Sequence, residues 1–293
     1  MTAADLPPEP VLTTEERARS QREASGERGA TSATYGGAKT SIVGDSGEIV
    51  RFSVRVMTSV PGCFRYTSEV FRQIGILVLS TAPIMIFLLV MLASEASLEG
   101  HYILKQLGVS SYAGIFTALA HYKVGPIFWG WMLSAKVSCG LVAEFGSMRI
   151  NEEIDALEVM GINSMSYLLG TRVVAITIFT PFCYVLGTGL MALQSYWLNV
   201  FIFRGVSRGG YLQVYWTFMS QYNVVMSLVN SMLLGLLIIM VGCYYGYTAS
   251  GGPVGVGNAT AKSMILNMIV VSVVGAAFMQ LFFGGNPRLP ISN

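Results

Sequence analysis

Residues 75–94 read GILVLSTAPIMIFLLVMLAS, a run with no Asp, Glu, Lys or Arg. A helix needs about 20 such residues to cross the ~30 Å hydrocarbon core of a bilayer. Pro83 is expected to kink this helix, which a membrane helix tolerates where neighbours satisfy the freed carbonyl. Working outward, four more runs of this kind follow, at about 124–145, 173–193, 224–245 and 264–283; residues 110–122 are apolar but too short to cross alone. The composition agrees: 53% of the chain is hydrophobic and 12% charged, where a soluble domain carries roughly 25% charged residues. After Glu158 there is no Asp or Glu in the last 135 residues. The expected fold class is an all-α membrane protein with five transmembrane helices. An ordinary soluble enzyme is excluded. With a net charge of +2 and no dense basic patch, so is nucleic-acid binding.

Upstream, residues 1–45 are rich in Pro, Glu, Arg, Ser, Gly and Thr. They hold too few bulky apolar side chains to offset their ordering entropy, so a disordered cytoplasmic tail is expected there. No apolar h-region marks a signal peptide. Residues 46–60, SGEIVRFSVRVMTSV, follow both a strand period and a helix period. Beside a membrane domain they read as an interfacial helix ended by Pro61-Gly62, with a loosely ordered linker as the alternative. The spans make 46–293 one domain. Arg51, Arg55, Arg65 and Arg72 precede the first span, which favours a cytoplasmic N-terminus and an extracytoplasmic C-terminus. Cys63, Cys139, Cys183 and Cys243 lie far apart and His is limited to His101 and His121, so no disulfide framework, metal or bound cofactor is expected. Tyr196, Trp197, Tyr211, Tyr215, Trp216 and Tyr222 read as an aromatic interface belt.

Between the second and third spans stands EFGSMRINEEIDALEVMGIN, residues 144–163, with five of the seven acidic residues found beyond position 72. Glu152, Asp155 and Glu158 are spaced to share one side of a helix, with Ile154, Leu157 and Val159 or Met160 on another. Asn151 is the expected N-cap and Gly161 the expected stop. The result is a short amphipathic helix over 151–161. No His, Cys or Ser accompanies the carboxylates in a catalytic arrangement, and their spacing matches no calcium loop. Two readings remain open: a solvated charged face, or a docking helix whose apolar face enters a partner's groove while its acids set orientation.

Two further features carry charge or glycine. Gly251, Gly252, Pro253, Gly255 and Gly257 fall in a Gly-rich segment, 248–263. Gly252 and Gly257 have phosphate-loop spacing, but Asn258 and Ala259 replace the required Lys and Ser/Thr, so a tight cytoplasmic turn is expected instead. Lys136 lies inside the second span, where a charge costs a few kcal/mol. It either contacts a lipid headgroup along a substrate path, or snorkels or pairs with an acid of a neighbouring subunit.

The run EFGSMRINEEIDALEVMGINSMSYLLGTRVVA, 144–175, resembles the signature of the MlaE/YrbE permease family, the membrane subunits of ABC-type lipid transporters that work with MCE proteins. YYGYTASGGPVGVGNA, 244–259, is similar to the loop between that family's last two spans, in the form of the B-type YrbE subunit of actinobacterial MCE systems. The resemblance implies that 151–161 is a coupling helix docking into an ABC ATPase. Glu144, Arg149, Glu152, Glu153, Asp155, Glu158 and Gly161 match the family motif, and Leu157 and Met160 share the docking helix. It further implies an amphipathic elbow helix at 46–60, a second, A-type permease in a heterodimer, MCE partners, a lipid substrate and residence in the inner or plasma membrane. ATP and Mg would be bound by the partner ATPase and not by this non-enzymatic chain. The rival classes are a secondary transporter or a scaffold subunit without ATPase coupling, and a membrane-embedded enzyme. The first needs ionisable residues in its spans, where only Lys136 is clearly placed, and the last needs clustered His or Asp.

Overall fold

Pro83 decides where the first crossing begins. In a helix interior its ring would clash with the carbonyl four residues back. The computed structural model, which describes residues 42–284, breaks the helix instead. The helix α1 covers Ile42–Cys63, α2 covers Thr67–Ser80 and α3 covers Ala82–Gln106, with Thr81 at φ −113° between the last two. Pro83 then sits in the first turn of α3, where a missing N–H costs nothing. The expected span 75–94 is therefore corrected: it straddles the break, and α3 makes the crossing. The other elements are α4 (Ser110–Ile150), α5 (Glu153–Val159), α6 (Met165–Ile202), α7 (Arg208–Phe218), α8 (Gln221–Tyr247) and α9 (Gly252–Phe283). No strand occurs among the described residues. Five helices, α3, α4, α6, α8 and α9, are long and apolar enough to cross a membrane.

The chain divides into two units, Met1–Glu48 and Ile49–Asn293, and every contact discussed below lies within the second. Of the first, only residues 42–48 are described; they are helical. Of the tail expected over 1–45, residues 42–45 are helical, which corrects that part, and the rest lies outside the described residues. Pro61-Gly62 does not end α1, which runs on to Cys63. Gly62 has no Cβ to meet Ser166 Oγ, which would stand 2.9 Å away, and Ser166 Oγ donates to the Ser59 carbonyl at 3.2 Å.

The stretch 110–122, too short alone, is fused to the second span. Two π segments, Ala120–Val124 and Ser134–Ser138, interrupt α4. A π segment turns the following residues to a new face, and Lys136 stands exposed within the second. The main core joins Met85 and Leu89 of α3, Trp129, Leu133 and Phe145 of α4, Ile176 and Phe179 of α6, and Leu234, Ile238 and Cys243 of α8. A second cluster gathers Tyr122, Tyr211, Tyr215, Phe218 and Phe283 at one end of the bundle. Tyr211 and Tyr215 are therefore core residues and not part of a belt: Gly114 lets the α7 backbone approach until a Cβ would lie 3.0 Å from Tyr215 N. Trp197 and Trp216 remain exposed. The opposite end holds α5, the α8–α9 turn and the α1 side chain Phe52, which packs on Tyr244 and Tyr247.

Candidate coupling site

The site is built where α4 ends. The Asn151 N–H bonds to the Ser147 carbonyl at 3.0 Å and closes α4. Glu152 then takes φ 58°, a left-handed conformation uncommon outside glycine. That residue reverses the chain, and α5 starts at Glu153. Asn151 is thus not the N-cap of α5; its side chain donates to Glu153 Oε1 at 3.3 Å. The regular helix is shorter than the expected 151–161. Gly161, at φ 78°, ends it: its N–H bonds to the Glu158 carbonyl, and the Ile162 N–H to the Leu157 carbonyl, both at 3.0 Å.

The apolar side of α5 divides in two. Ile154 is fully buried in the main core and Leu157 is half-buried against it. Val159 and Met160 point the other way, 88% and 66% exposed. Glu152, Glu153, Asp155 and Glu158 are exposed around them. Two of these acids bind the bundle. Arg149 Nη1 pairs with Asp155 Oδ1 at 2.8 Å, and Ser164 Oγ donates to Glu158 Oε1 at 2.6 Å.

Tyr247 is the meeting point of the two sequence motifs. Its hydroxyl lies 3.3 Å from Ser164 Oγ, and the Arg149 guanidinium stands 5.9 Å from its ring centroid. Beside it, Gly146 has no Cβ to meet Val256, which would stand at 2.8 Å. The Gly-rich segment differs from expectation. Only 248–251 is a turn, with Gly251 and Gly252 at φ 88° and 70°. Pro253 occupies the first turn of α9, and Gly255 and Gly257 lie inside that helix.

Glu144 leads to partners that sequence reasoning missed. Arg172, at the start of the regular α6 helix, bonds both Glu144 and the buried Gln73 of α2. Gln73 in turn donates to Glu69, which is paired with Arg72 at 2.7 Å. The Arg72 hydrogen bond, chiefly, holds the Glu69 carboxyl below the ordinary carboxylate range. The available signal was Arg172 itself, a cation at the mouth of an apolar run and inside the family-like stretch. Lys136 is not brought to this cluster, and it has no acidic partner among the described residues. No group of three His, Cys, Asp or Glu able to hold a metal occurs among the described residues either. Physically, the arrangement is an exposed arm tied to Arg149 of α4 and, through Ser164 just ahead of α6, to Tyr247 of α8.

Residues 70–281 match the family described as Permease MlaE. The chain is 24% identical over 238 residues to a "Probable ABC transporter permease protein" of Rickettsia bellii, covering 81% of this chain and 92% of that one. It is 25% identical over 188 residues to "Protein TRIGALACTOSYLDIACYLGLYCEROL 1, chloroplastic" of Arabidopsis thaliana, covering 61% and 51%. A "Probable ABC transporter permease protein" of Synechocystis is 24% identical over 183 residues, covering 60% and 66%.

Proposed function

The chain belongs to the MlaE permease family, and on that premise we propose that it is the membrane subunit of an ABC-type lipid transporter, driven by an ATPase it does not encode. The observation that carries this reading is the construction of α5. A helix that only displayed charge to water would not need Ile154 in the core, nor two of its acids tied to Arg149 and Ser164. Closure of an ATPase dimer on ATP would move α5 as a rigid body, and α4, α6 and α8 would follow. The exposed Val159 and Met160, rimmed by Glu152 and Glu153, form the surface for the motor's groove.

The spans would then open and close a lateral apolar cavity continuous with an extracytoplasmic MCE channel. A lipid cargo is supported by the Arabidopsis relative, whose name contains that of trigalactosyldiacylglycerol. The chain acts as the B-type half of a heterodimer with an A-type permease in the plasma membrane, its N-terminus cytoplasmic. α1 serves as the interfacial elbow. Lys136, exposed within α4, faces the partner permease or the lipid path. The test is Glu152→Lys with Glu153→Lys, which leaves the Arg149–Asp155 pair in place. The double variant should insert and elute as the parent does, yet capture far less ATPase on co-purification. Full ATPase association would remove α5 from the coupling role.

A further inference from the structure

At the end of the bundle away from α5, a groove of about 450 Å³ opens outward between α3 and α6. Val90, Leu190, Leu193, Gln194, Trp197 and Phe201 line it. Gln194 reaches Ser94 of α3 across it at 3.4 Å. Trp197 is 52% exposed, and the Arg208 guanidinium carbon stands 5.0 Å from the Phe201 ring centroid. Arg208 is exposed and forms no ion pair among the described residues. Glu95 and Glu99, the acids of α3, are exposed and line no part of the groove.

We propose that this groove holds a phospholipid, with one acyl chain along Val90, Leu190 and Leu193 and its phosphate at Arg208. A groove open to the bilayer is filled from the bilayer, and an apolar wall selects a chain. What selects the headgroup is Arg208. A guanidinium matches a phosphate with paired charge-assisted hydrogen bonds, and Trp197 is the side chain that favours the boundary between chains and headgroups. A second outward groove, of about 310 Å³ between α6 and α8, makes the contrast: Ile176, Thr180, Val229 and Leu233 line it with no cation, so it offers nothing to a phosphate. The bound lipid is a resident of the outer wall of the subunit. It requires membrane embedding only, and stands whether or not α5 couples to an ATPase.

Trp197 supplies its own reporter. The full-length chain in detergent is titrated with acyl-brominated phosphatidylglycerol or with acyl-brominated diacylglycerol, which lacks the phosphate. Quenching due to Trp197 is the difference between the parent and Trp197→Phe. The phosphatidylglycerol should half-quench at a concentration about five times lower, the factor that the ~1 kcal/mol of a solvent-exposed charge pair provides. Arg208→Gln should bring the two lipids together while Arg208→Lys keeps part of the preference. Equal quenching of the parent by both lipids overturns the site. So does a preference that survives Arg208→Gln.

Discussion

Gly255 is required by a contact and not by its backbone conformation. A Cβ there would overlap the Ser250 carbonyl oxygen, whereas at Gly257, also in the first turns of α9, a Cβ meets open space. Gly255→Ala should therefore force the 248–251 turn to rebuild, at the ~1–3 kcal/mol typical of overpacking. Gly257→Ala should be neutral or stabilise by up to about 1 kcal/mol, since alanine is the better helix former. Thermal unfolding of the two purified variants decides the matter: equal melting points would contradict the turn as described. The glycines themselves were legible in the sequence, but their separate duties were not. Spacing shows that glycines recur; it does not show which one a neighbouring carbonyl points at.

Element boundaries were hidden for a related reason. Apolar character runs unbroken across 75–94, yet the backbone breaks at Thr81, and hydrophobicity does not register a break that costs no apolar contact. In α5 the helix was legible but its single apolar face was not real. Positions 154 and 159 are about 140° apart around a helix of 3.6 residues per turn, so Ile154 facing the core turns Val159 outward. The Glu69–Gln73–Arg172–Glu144 chain was invisible because its members come from three elements, α2, α4 and α6. That chain links α2 to α4 and α6. Arg172→Ala strands the buried Gln73 and the half-exposed Glu144, and should cost about 1–2 kcal/mol, discounted for the exposure of Glu144. A structural test beyond stability is hydrogen exchange across residues 67–80. It should accelerate in Arg172→Ala and less so in Arg172→Lys, and unchanged exchange would show that α2 is held by apolar packing alone.

At the scale of the whole molecule, five crossings set the two ends of the bundle against each other, and the arginines follow that division. Among the described residues, Arg51, Arg55, Arg65, Arg72, Arg149, Arg172 and Lys262 belong to the α5 end, and Lys105, Lys123, Arg204 and Arg208 to the other. Basic residues near span ends are retained on the cytoplasmic side, while acids count for little, so Glu152, Glu153 and Asp155 do not cancel the bias. The bias of seven to four predicts that the α5 end is cytoplasmic, and surface labelling tests it directly. Leu107→Cys, in the 68% exposed position after α3, and Val159→Cys, 88% exposed on α5, report opposite ends. Cys63, Cys183 and Cys243 are buried, so a Cys139→Ala background leaves the introduced thiols as the accessible ones among the described residues. A membrane-impermeant maleimide applied to intact cells should label position 107. It should label position 159 only after permeabilisation. The reverse pattern would put α5 on the side where no ATP is available, and no cytoplasmic ATPase could then grip it.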